Sequence, residues 1–433
     1  MTTKYLITDY GARPDGSLST AAIQATIDAC YLAGGGEVVV PAGRFLTGGI
    51  RLRSQITLRL LDGACLLGVR DPEEYTRYLA DKVEPITEDM LESTAPTAVE
   101  GYSARSIQPF SRWNNAIIRA IGAHDIAIIG EGNATIDGQN CYDPEGEEKY
   151  RGPHAINLWY CERVTLSGYT IRDSANWAHA IQNSQKIEMR GVTVLGGHDG
   201  FDIRTCDDVL VEDCDFRTGD DCIAGFDNRN VTVRNCSFNC ACTMLRFGGT
   251  DVLVENCRGT APAEYGFRNQ LSLEEKMAGA PTNEKCRYNC HGIFLYYCDK
   301  RAAVRETPGN ILIRNCHFSG MDNILRHPFG HMWCCNRALH DITFENCVIE
   351  GLNLTSDIVC PEDEPLRVTL KNCTISPQEG YEDMPIITAE GAGEILFDGV
   401  RITGFNDPHI LTDNIGAVRC ENGDTVKSCL QNA

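Results

Sequence analysis

Apolar and polar residues alternate through most of the chain, and the alternation returns at a fixed interval. The apolar strand starts Ile187, Val209 and Val231 are 22 positions apart, and each opens an alternating run: Ile187–Val194, Val209–Phe216 and Val231–Phe238. A turn and a second short apolar run follow each time, so every 22 residues repeat strand, turn, strand. A period of this length predicts a β-solenoid whose coils bury their apolar faces on one another. The same pattern predicts earlier coils at Val38–Val40, Ile50–Leu52, Ile56–Leu60, Ile117, Ile126 and Val164, and later ones at Ile311, Ile342, Val368 and Ile395. Between Ser19 and Ala33 the spacing changes: Ile23, Ile27, Cys30 and Tyr31 share one helical face before Gly34-Gly35-Gly36 ends it. A short helix there is expected to cap the first coil.

The expected architecture is one continuous all-β domain over 1–433: strand and cap helix in 1–36, coils in 37–412, and a C-terminal tail in 413–433. Three stretches break the period and are expected as long loops, near 68–115, 268–308 and 326–336. In a regular stack, such loops commonly wall a binding cleft.

The repeat also aligns chemistry. Asp199 and Asp221 are 22 residues apart and so share a coil position, with Asp220 beside them. Neighbouring coils are about 4.8 Å apart, a distance at which unpaired carboxylates repel by about 1 kcal/mol per pair in water. Isolated Asp pairs usually cap turns, but three acids aligned by the period point to catalysis. Trp177 and His179 lie one coil earlier and are candidates for contact with substrate, the Trp through its aromatic face. His198 and Arg246 flank the acids on adjacent coils, and His327 stands in the aromatic, His-rich stretch 326–333.

Composition narrows the partner. Lys plus Arg number 39 against 60 Asp plus Glu, a net charge of −21, which argues against nucleic acid and anionic membranes. A local basic pocket can still hold a short acidic ligand. The first residues carry no apolar run with a cleavage site, so a cytoplasmic chain with its 22 cysteines reduced is expected. Six of them, Cys214, Cys236, Cys257, Cys316, Cys347 and Cys373, recur at one strand phase, five preceded by Asn, and read as an inward ladder. Cys286, Cys290, His291 and Cys298, and the pair Cys334-Cys335, lack the spacing of a zinc site.

The segment Asp208 to Gly225, with Gly219-Asp220-Asp221-Cys222, resembles the glycoside hydrolase family of polygalacturonases and rhamnogalacturonases. Thr8-Asp9-Tyr10-Gly11-Ala12, Gly34-Gly35-Gly36-Glu37, Ile136-Asp137-Gly138-Gln139 and Ser174-Ala175-Asn176-Trp177 extend the likeness over most of 5–405. The resemblance implies a right-handed parallel β-helix and an inverting, exo-acting hydrolase of short pectin-derived oligosaccharides. Asp220 is then the general acid, and Asp199 with Asp221 activates water, without metal or organic cofactor. Only the Asp of the family's Asn-Thr-Asp motif is present, at Asp199, and its Gly-His-Gly falls on Cys242-Thr243-Met244. Its uronate-gripping Arg-Ile-Lys has one partial echo at Arg268, in Gly266-Phe267-Arg268-Asn269-Gln270, and a weaker one at Lys300-Arg301. Two other classes stay open: a calcium-dependent β-helix lyase using Arg246 or Arg268 as base, and a non-catalytic carbohydrate-binding solenoid. The sugar, linkage and oligomeric state are not set by these residues.

Overall fold

The computed structural model describes residues 3–76, 111–146, 151–299, 305–331, 334, 337–361 and 363–430. They form two compact units, one of residues 1–202 with 265–287, the other of residues 203–264 with 288–433. Each is a stack of short parallel strands in the right-handed β-helix arrangement. Of the expected loops, most of 68–115 and Lys300-Arg301 lie outside the described residues.

In the first unit, the helix Thr20–Leu32 buries Ile23, Thr26, Ile27 and Cys30 against the first strands. Tyr31 is only half-buried, because its ring lies under the Arg53 guanidinium at 4.9 Å. Behind the helix, one interior column runs Val38, Leu58, Ile128, Leu166, Met189 in strict register. A second runs Phe45, Leu66, Ile136, Ile171, Val194. A third face is built on Ile50–Arg51, Ala116–Ile121, His154–Trp159 and His179–Gln182, with Ile50, Ile118, Ile156 and His179 in one column.

The second unit repeats the plan. Val209, Val231, Val252, Ile311, Ile342, Val368, Ile395 and Val418 align through eight consecutive strands. Each fully buried aliphatic member contributes about 1.5–3 kcal/mol, and a slip of one residue would turn a whole strand inside out. The Asn-Cys pairs mark the corners. Asp213, Asn235, Asn256, Asn315, Asn346 and Asn372 all have φ between 52° and 56°, a conformation that Asn and Asp tolerate better than other side chains. The next residue points its thiol inward, where Sγ donates to the carbonyl two residues back, as in Cys236 to Arg234 at 3.2 Å and Cys316 to Arg314 at 3.1 Å. The ladder continues between coils, with the Cys257 N–H donating to Cys316 Sγ at 3.4 Å.

Every described cysteine is a free thiol, and all but Cys242, Cys420 and Cys429 are buried. A thiol reagent should therefore modify these three in the native protein and the rest of the described set only on unfolding. Peptide mapping of the labelled protein checks this, and rapid labelling of Cys257 or Cys316 would contradict it.

Candidate functional site

The acid pair of the second unit sits in the turn between the strands Asp215–Thr218 and Ile223–Arg234. Thr218 closes the turn by donating from Oγ1 to the Asp220 carbonyl at 3.0 Å. Asp221 is 1% exposed and Asp220 7%. One Asp221 oxygen accepts from the Thr243 N–H at 2.9 Å, and the other from Nε of Arg246. The Arg246 guanidinium in turn lies 4.4 Å above the Tyr297 ring, which fixes its plane. Burial pushes the Asp221 pKa above the usual carboxylate range, Arg246 pulls it down, and the negative charge of Asp220 raises it again. Two donors thus hold Asp221 in its carboxylate geometry while its surroundings favour keeping a proton on the pair. One protonated and one ionised carboxyl side by side can supply acid and base to the same reaction.

At the position of the family's Gly-His-Gly, Cys242 brings its Sγ within 4.8 Å of carboxylate oxygens of both Asp220 and Asp221. His291 Nδ1 is 3.8 Å from that sulfur, so an imidazole does reach this corner, from a residue far along the chain. Cys290 instead faces Cys240, 3.8 Å away, and Cys298 pairs with Cys334 through the backbone alone, as an isolated parallel β-pair.

The first unit holds Trp177, His179, His198, Asp199 and Arg268. His198 and Asp199, each 1% exposed, follow Gly196 and Gly197, whose φ values are 75° and 72°. At Gly197 a Cβ would come 2.8 Å from the Ser174 carbonyl oxygen, so only glycine lets the chain deliver the His-Asp pair there. The Asp199 carbonyl accepts from the Ala178 N–H at 2.8 Å. His198 Nε2 lies 3.3 Å from the Tyr142 hydroxyl, which also accepts from Nε of Arg268 at 3.3 Å.

Three expected substrate contacts are corrected. His179 faces the interior, in register with Ile156; its Nδ1 meets the Gly200 carbonyl at 2.9 Å and its Nε2 the Tyr169 hydroxyl at 3.0 Å. Burial drives its pKa to about 4, which keeps the ring neutral. His327 is buried in the same way, stacked on Tyr296 at 4.9 Å, with Nδ1 at the Val359 carbonyl and Nε2 accepting from the Leu339 N–H. Both rings have spent their hydrogen bonds on the scaffold. Trp177 is 4% exposed and packs edge-on to Trp113 at 5.8 Å and against His154 at 5.2 Å, so it offers no free face for a sugar.

The outward positions tell more. In the second unit Arg246, Leu295, Arg326, Asp357 and Thr388 form one column, all half-exposed. Arg326, not His327, is the side chain that this strand presents to the outside. In the first unit the matching column of Arg51, Arg119, Asn157 and Ala180 is buried throughout.

A family model described as "Right handed beta helix region" matches residues 110–259. A probable polygalacturonase of Vitis vinifera is 29% identical over 231 residues, 50% of this chain and 43% of that protein. An exopolygalacturonase of Cochliobolus carbonum is 25% identical over 304 residues, covering 60% of this chain and 68% of that one. Among solved structures, a family 28 exopolygalacturonase of Yersinia enterocolitica superposes with a TM-score of 0.65 at 16% identity, over 98% of this chain and 79% of that one. The chain spans less than half the length of the grape relative. With its repeat, its Gly-Asp-Asp turn and these likenesses together, the chain folds as a right-handed β-helix and is similar in sequence to polygalacturonases over part of its length.

Proposed function

We propose that the protein is an inverting, exo-acting glycoside hydrolase of short, pectin-derived uronides. The observation that carries this reading is the buried Asp220–Asp221 pair, with Asp221 clamped by Arg246 and the Thr243 N–H and its pKa raised. Asp220, the more exposed of the two, protonates the leaving oxygen. Asp221, with Asp199 one period earlier, orients and deprotonates water. Support for Asp199 is its 22-residue spacing from Asp221 and its place in a buried, glycine-shaped turn. Exo-action is suggested by the exopolygalacturonase of Cochliobolus carbonum among the relatives.

The calcium-dependent lyase is less well supported. Asp220 and Asp221 share their corner with a thiol, which is a poor calcium ligand, and Arg246 is committed to Asp221 instead of standing free as a base. Incubation with di- and trigalacturonate separates the classes. Saturated monomer released from a chain end supports the hydrolase, an unsaturated ultraviolet-absorbing product supports the lyase, and binding without turnover leaves a carbohydrate-binding solenoid.

A further inference from the structure

Cys242 directly precedes the strand Thr243–Glu255, and His291 directly precedes the strand Gly292–Tyr296. The two strands are neighbours, with Thr243 opposite Gly292, so adjacent coils set Cys242 beside His291 although 49 residues separate them in the chain. The His291 N–H donates to the Cys242 carbonyl at 2.5 Å, which ties the two backbones together, and Nδ1 then stands 3.8 Å from Sγ. Asp220 and Asp221 reach the same corner, with carboxylate oxygens within 4.8 Å of the thiol and of each other.

A thiol, an imidazole and a carboxylate converging in one place are the donors that zinc and similar divalent transition metals take; calcium and magnesium prefer oxygen alone. In zinc sites Zn–S is about 2.3 Å and Zn–N about 2.0–2.1 Å, so tetrahedral coordination puts sulfur and nitrogen about 3.5 Å apart. The 3.8 Å between Cys242 Sγ and His291 Nδ1 is close to that spacing before any ion draws them together. The corner also has an entrance. Among the described cysteines only Cys242, Cys420 and Cys429 are not buried, and His291 is half-exposed as well. Asp221 accepts from the Thr243 N–H and from Arg246, and its charge offsets that of the guanidinium, which makes Asp220 the oxygen ligand.

We infer that Asp220, Cys242 and His291 form an inhibitory site for zinc or a similar divalent transition metal, with water in the fourth position. The consequence rests on the hydrolase reading, because the ion occupies the carboxylate that the proposed reaction needs as its acid; the binding itself does not. On binding, the Cys242 S–H bond breaks and a sulfur–metal bond forms. The thiol proton, with any proton on Asp220, leaves to solvent, and no oxidation state changes.

Titration of the metal-stripped, full-length protein with Co²⁺ tests the site, since cobalt reports thiolate ligation by a charge-transfer band and tetrahedral coordination by its visible absorption. Stoichiometric Co²⁺ should give both signals, and Zn²⁺ should displace it and bleach them. Cys242→Ser should abolish the charge-transfer band, whereas Cys420→Ser and Cys429→Ser should leave it unchanged. His291→Gln and Asp220→Asn should each weaken cobalt binding by at least about 10-fold, the lower end of the effect of losing even an outer partner of a metal ligand. A folded wild-type protein without the band, or a band that survives Cys242→Ser, overturns the site. Zn²⁺ loaded to the same occupancy should stop hydrolysis of digalacturonate, chelation should restore it, and Ca²⁺ and Mg²⁺ should have no effect. Hydrolysis that continues with the site loaded overturns the inhibitory role. Thiolate-bound cobalt in a metal-stripped protein that hydrolyses nothing keeps the metal site and rejects the hydrolase, and hydrolysis in a protein that binds no cobalt does the reverse.

Discussion

Replacing Asp220 by Asn is expected to lower activity on an ordinary uronide by at least about 10²-fold, the lower end of what a general acid contributes, without loss of stability. Asp220 is the more exposed acid of the pair, and its charge raises the pKa of buried Asp221. Removing that charge relieves a repulsion while Thr243 and Arg246 keep holding Asp221. The melting temperature should therefore stay level or rise, as expected where an active site is kept at the expense of stability. A substrate with an activated leaving group needs less protonation and should recover part of the lost rate. Asp199→Asn and Asp221→Asn act on the water and should show no such rescue. Kinetics on the two substrates with parallel thermal melts decide the matter, and a large fall in melting temperature for Asp220→Asn would mark it as structural.

The second large effect is on stability. Arg246→Met leaves Asp221 buried without its cation, and breaking a buried pair in this way costs about 3–5 kcal/mol. The loss has a definite pH dependence. Without Arg246 the folded-state pKa of Asp221 rises further above its unfolded value, so the folded state binds the proton more tightly than the unfolded chain. The penalty is fully present above the folded pKa and fades as pH falls toward the ordinary carboxylate value of about 4. Thermal melts of wild type and variant at pH 7 and near pH 4.5 should show the gap narrowing at the lower pH. A constant gap would mean that Arg246 acts by packing on Tyr297 and not through Asp221.

Much of this was legible in the sequence, and what was not had a physical reason. The column Val209, Val231, Val252 declared itself because a coil fold repeats its register, and the Asp turn stood out because the same period aligned it with Asp199. Asn before each ladder cysteine reported a left-handed corner that few other residues accept. The errors at His179 and His327 were errors of parity. In Leu325-Arg326-His327 the strand alternates, and burying Leu325 sends Arg326 outward and His327 inward, so this signal was present. Ala178-His179-Ala180-Ile181 offers no such contrast, and only the pairing of Ile156 with His179 shows which way the ring points. The meeting of Cys242 with His291 was out of reach altogether: it spans 49 residues and a loop that follows no repeat.

The division of labour among the three acids is tested most directly by the stereochemistry of the first product. Proton NMR of the wild-type protein acting on an α-linked digalacturonate, followed before mutarotation scrambles the anomers, should show the β-anomer of the newly formed reducing end, on the sugar that carried the cleaved bond, appearing first. An initial α-anomer would mean a double displacement and would contradict the roles given to Asp199, Asp220 and Asp221 together.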